Sequence, residues 1–108
     1  MITKLTPMME ILAQCAAACE NCVSICINDG SPMSCCPLCM DCADMCMLCF
    51  RLEAHNSQNL KSACKLCAEF CDACAAECER HAGYHAHCKA CAEACRKCAE
   101  ACRNMANS

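Results

Sequence analysis

A chain of 108 residues with 57% hydrophobic side chains is sized for one domain with a buried core, and its net charge of −3 gives no reason to expect a nucleic-acid partner. Aromatics are only 3%, which argues against a β-sheet, whereas cysteine alone contributes 20 residues. Two Gly and three Pro are too few for a loop-rich disulfide or zinc-knuckle scaffold.

The N-terminus lacks the pattern of a secretory leader: it has one Lys, then Thr6-Pro7, and Glu10 interrupts the apolar run. No window reads as long and uncharged enough to span a membrane, so the expected compartment is the cytoplasm, where thiols stay reduced. Thr6 is a predicted N-cap with Pro7 at the first helical position, opening a helix over residues 7–27. Its cysteines, Cys15, Cys19, Cys22 and Cys26, step by 4, 3 and 4 and so share one face. Asn28-Asp29-Gly30-Ser31-Pro32 is a turn cluster. A second helix is predicted over 34–54, with Pro37 in its first turn, where no N–H is needed. It carries Cys35, Cys39, Cys42, Cys46 and Cys49 in register, with Cys36 off by one.

His55-Asn56-Ser57 breaks the pattern, and Ser57 is the expected cap of a third helix that runs to about residue 81 and stops at Gly83. That helix holds Cys64, Cys67, Cys71, Cys74 and Cys78. A fourth, over 84–105, holds Cys88, Cys91, Cys95, Cys98 and Cys102. Four similar helices with short links predict an all-α, up-down-up-down four-helix bundle with a cysteine-lined core, a single domain over 1–108. In that topology the ladder ends agree. At one end each stripe turns to ordinary apolar residues: Leu5, Met8, Leu12, Leu52, Leu60 and Met105. At the other lie Cys26, Met33, Cys35, Cys36, Cys78, His81, His85, His87 and Cys88. The first end is an expected plug and the second an expected mouth, with His81, His85, His87 and Met33 as candidate ligands where metal enters and leaves. His55 falls off the ladder and is read as surface. The outer faces of the first two helices are poor in charge and hold Ile25, Met40, Met47 and Phe50, which predicts an oligomer contact.

Cysteine can serve as a small buried hydrophobe, but a core of thiols alone offers little apolar area. Disulfides fit poorly as well, because residues three or four apart on a helix have Cβ atoms about 5–6 Å apart and a disulfide needs about 3.5–4.5 Å. Metal bridging is longer and spans that gap. Cys36-x2-Cys39-x2-Cys42-x3-Cys46 matches an iron–sulfur loop spacing, yet the usual following Pro is replaced by Met47 and the other helices lack the pattern. Zinc or cadmium is the stronger rival, although structural zinc sites place Cys-x2-Cys pairs on turns, not in mid-helix. Charge separates the candidates. Zinc with four thiolates carries −2, and burying several such centres costs heavily, whereas one Cu(I) per thiolate is neutral. Soft thiolates also prefer Cu(I). Deprotonating each thiol at pH 7 costs about 2 kcal/mol, so filling must release protons and needs strong metal–sulfur bonding.

The ladders Cys64-x2-Cys67-x3-Cys71-x2-Cys74-x3-Cys78 and Cys88-x2-Cys91-x3-Cys95-x2-Cys98-x3-Cys102, with the His-rich link before Cys88, resemble the cysteine-rich four-helix-bundle copper storage proteins of bacteria. The resemblance covers nearly the whole chain and is to the cytosolic branch. It implies storage of many Cu(I) ions and a homotetramer. It also implies that Cys15/Cys19, Cys22/Cys26, Cys35/Cys39, Cys42/Cys46, Cys67/Cys71, Cys74/Cys78, Cys91/Cys95 and Cys98/Cys102 act as intrahelical pairs. The combined expectation is a store near one Cu(I) per Cys, with copper ions and copies of itself as partners, no nucleic acid, no membrane and no catalytic residues. A Zn/Cd thiolate buffer is the alternative. A redox enzyme would single out one or two activated cysteines, and these ladders single out none.

Overall fold

The computed structural model describes residues 4–30 and 34–108. Four helices follow in chain order: α1 (Pro7–Asp29), α2 (Cys36–Ala54), α3 (Leu60–Glu79) and α4 (Ala86–Ala106). Each packs against the two beside it, α1 on α2, α2 on α3, α3 on α4 and α4 on α1, which is the ring of an up-down-up-down bundle.

The start of α1 is as its sequence predicts. Thr6 is extended, its Oγ1 accepts from Met9 N at 3.1 Å, and Pro7 opens the helix. The same hydroxyl donates to Glu53 Oε2 at 2.8 Å, tying this helix start to the last turn of α2. Two more residues than expected join α1, which stops where Gly30 turns left-handed at φ 72°. α2 begins at Cys36 rather than Ser34, with Cys35 at its cap and Pro37 in the first turn.

Other ends differ from expectation. Ser57 does not cap α3; its Oγ accepts from Asn59 N at 3.0 Å in the preceding turn, and Asn59 occupies the cap position. Gly83 does not end α3, which stops at Glu79. The stop is made by tight backbone bonds, Arg80 N to Glu77 O at 3.2 Å and His81 N to Cys78 O at 3.0 Å, so no left-handed glycine is needed. α4 starts two residues late, after extended His85.

The thiol ladders face inward as one column. All cysteines except Cys36 are buried, and Cys36 is half-buried, as its off-register place requires. Between the ladders, Ala16, Ala43, Ala68, Ala75, Ala92 and Ala99 let the helices approach closely. At the plug end Met8, Leu12 and Leu60 are buried, and Leu52 and Met105 pack half-buried against them. Leu5, expected in the plug, is exposed because it precedes the helix. Met47 and Phe50, expected on the outer surface, instead pack against the core and widen it; Ile25 is half-buried, and Met40 remains 54% exposed. α1 is also a correction: it is long and apolar enough, by length and composition, to cross a membrane. Its four cysteines are buried in the bundle.

Candidate metal centre

The helices stack their thiols in successive groups along the bundle. Toward the mouth, Cys22, Cys35 and Cys88 gather. Below them come Cys22, Cys39, Cys78 and Cys91, and then Cys19, Cys39, Cys74 and Cys91. Further down lie Cys15, Cys19, Cys42 and Cys95, followed by Cys15, Cys46, Cys71 and Cys98. Within each group all sulfurs lie within 4.8 Å of one another, and every member is buried. Cys49, Cys64, Cys67 and Cys102 interact in the layer above the plug. Successive groups share members, so the sites form one continuous column.

Sulfur–sulfur distances decide what the column can hold. Across helices, Cys42 and Cys71 are 3.5 Å apart, Cys39 and Cys91 3.7 Å, Cys46 and Cys98 3.8 Å, and Cys15 and Cys42 3.9 Å. Within helices, Cys67–Cys71 is 3.9 Å, while Cys91–Cys95 and Cys98–Cys102 are 4.0 Å. These are far beyond the S–S bond of about 2.05 Å, and all 20 cysteines are free thiols. Two metal–sulfur bonds of about 2.3 Å hold their sulfurs about 3.8–4.6 Å apart as the angle opens from tetrahedral to linear. The column is therefore spaced for S–metal–S bridges after small side-chain shifts.

Among the described residues the core contains no buried polar or charged side chain. A thiolate formed there has no protein cation to neutralise it, so its countercharge must arrive with the cargo. Toward the mouth the acid–base behaviour agrees. Burial, then neighbouring thiol charge, pushes Cys22 up, and burial pushes Cys88 up to about 12. Cys26 and Cys36 are also raised, again chiefly by burial.

The predicted mouth residues separate into two sets. His87 Nε2 lies 3.5 Å from Cys26 Sγ, and the His85 ring stands 5.3 Å from the His87 ring, centroid to centroid. Cys36 sits beside Cys26. His81 is half-buried but is held elsewhere: its Nε2 lies 3.2 Å from Glu77 Oε2 and 3.2 Å from Ser34 Oγ. Ser34 Oγ also donates to Glu77 Oε2, and Arg80 Nη1 reaches both Glu77 oxygens at 3.1 Å. This Ser34–Glu77–His81 knot, which joins the start of α2 to the end of α3, escaped the sequence reading. The signal was present, since Glu77 lies one helical turn before His81. Met33 lies outside the described residues, and His55 is exposed as expected.

Comparison with known proteins points the same way. A cysteine-rich protein of Bacillus subtilis (strain 168), YhjQ, itself uncharacterized, is 40% identical over 101 residues, covering 91% of this chain and 92% of its own. The Cu(I)-bound copper storage protein BsCsp3 superposes with a TM-score of 0.85 at 39% identity, over 92% of this chain and 94% of its own. A cytosolic copper storage protein from Streptomyces lividans carrying five coppers gives a TM-score of 0.86 at 34% identity, over 94% of this chain and 90% of its own. The family described as copper storage protein matches residues 1–107, and the chain belongs to that family.

Proposed function

We propose that this chain stores Cu(I) in the cytoplasm, at close to one ion per cysteine, on the thiolates that line its bundle. The observation that carries this reading is the column of buried thiols without a buried countercharge among the described residues. Each Cu(I) bound to one thiolate leaves the interior neutral, and the soft thiolate suits the soft ion. The proposed ligands are all 20 cysteines, joined at the mouth by His85 and His87 and, after release from Glu77, by His81; Met33 is proposed as a further thioether there. Copper is cargo and no residue is proposed as catalytic. Neither nucleic acid nor membrane enters the reading, and copies of the same chain, assembled as a homotetramer, are the proposed partners.

The Zn/Cd alternative is tested by competition. Reduced protein is offered equal Zn(II) and Cu(I) without oxygen, and the metal retained after gel filtration is counted. Copper should occupy the protein almost alone. Retention of zinc at the expense of copper would favour the buffer.

A further inference from the structure

Just inside Cys26 and Cys36, three thiols form a corner. Cys22 on α1, Cys35 at the cap of α2 and Cys88 in the first turn of α4 all lie within 4.8 Å of one another and are buried, with Cys22 and Cys35 4.0 Å apart. Each comes from a different part of the ring, so the bundle itself shapes the cup. We propose that Cys22, Cys35 and Cys88 bind a trivalent, thiophilic metalloid of the arsenite class as a single three-thiolate complex.

Geometry supports this first. Trivalent arsenic or antimony takes three sulfurs as a pyramid and keeps a lone pair on the open side. It needs three thiols converging from different directions and gains nothing from a fourth. Charge supports it next. A 3+ centre with three thiolates is neutral, so it enters a core without buried cations at little desolvation cost, by the same balance that favours Cu(I).

Proton bookkeeping separates the two cargoes. Arsenite, As(OH)3, condenses with three neutral thiols: three As–O bonds break, three As–S bonds form, and each thiol proton leaves with a hydroxide as water. No oxidant is needed and no net proton is released. The corner also lies toward the end bearing half-buried Cys36, His85 and His87.

The proposal does not rest on copper storage, because the copper capacity of the same samples is measured separately. Reduced, metal-free full-length protein is titrated with sodium arsenite and followed by native mass spectrometry. The first equivalent should add one arsenic less three hydrogens, with little dependence on pH between about 6 and 8. Cys88→Ala should bind that equivalent at least roughly tenfold more weakly, while Cys102→Ala, at the plug end, should keep it. Cys35→Ala, outside the helix body, gives the same test should Cys88→Ala fail to fold. A first arsenic that survives loss of Cys88 and Cys35, that is lost equally in Cys102→Ala, that replaces fewer than three hydrogens, or that is not retained at all would overturn the site.

Discussion

Cysteine at these positions trades packing for chemistry. A buried thiol is a small hydrophobe with a proton it can surrender, and here 19 buried positions hold one. The apo protein should show the cost in its pH dependence. Cys22, Cys26, Cys36 and Cys88 are all raised, Cys88 to about 12, so the folded state binds their protons more tightly than the unfolded chain does. Their contribution to stability is complete below the unfolded value near 8.5 and is lost as pH rises through the folded values. Denaturant midpoints of reduced apo protein should therefore fall steadily from about pH 8 to 11. A flat profile would mean that the thiols titrate as they do in water. The ligand character of the cysteines was legible in their spacing because a 3–4 period leaves a single face. The environment of His81 was not, since it depends on Ser34, 47 residues away in the chain.

Each helix has a thiol stripe with different chemistry at its two ends. Leu12, fully buried, and Leu60 close one end, while His87 touches Cys26 at the other. Copper exchange should therefore be set at the mouth. His87→Ala should change the rate of Cu(I) loading several-fold by stopped-flow, with the final copper count unchanged, and His81→Ala should change it less because Glu77 holds that ring. Equal rates in parent and His87→Ala would remove the imidazole from the path. The helices themselves were legible from periodicity and from Thr6-Pro7. Several ends were not: α3 stops at Glu79 through backbone bonds that no residue type announces, and Gly83, the residue that looked like a terminator, lies beyond it.

Ring packing of four helices makes the ladders one column, and it leaves the two sides of the bundle unlike. Across α3 and α4, Arg96 reaches Glu79 at 2.8 Å and Asp72 at 3.1 Å, and Arg103 reaches Asp72 at 2.6 Å. Between α1 and α2 runs a groove of about 610 Å³ lined by Ala13, Ala16, Ala17, Ala43 and Met47, edged by Glu20, Asp44 and Arg51. That groove, which includes Met47 but not Phe50, is where copies of the chain should meet. The sequence pointed to the same two helices but read half-buried Met47 and Phe50 as fully outer, because α2 carries two apolar stripes and periodicity does not say which one the bundle will leave bare. Exposed Ala17→Lys should lower the mass seen by light scattering without altering helicity; an unchanged oligomer would place the contact elsewhere.

The central claim is a neutral core filled ion by ion, and it is tested most directly by counting. Reduced protein titrated to saturation with Cu(I) without oxygen should retain close to one copper for each of its 20 cysteines. Saturation near a quarter of that number, the ratio of isolated four-thiolate centres, would contradict it.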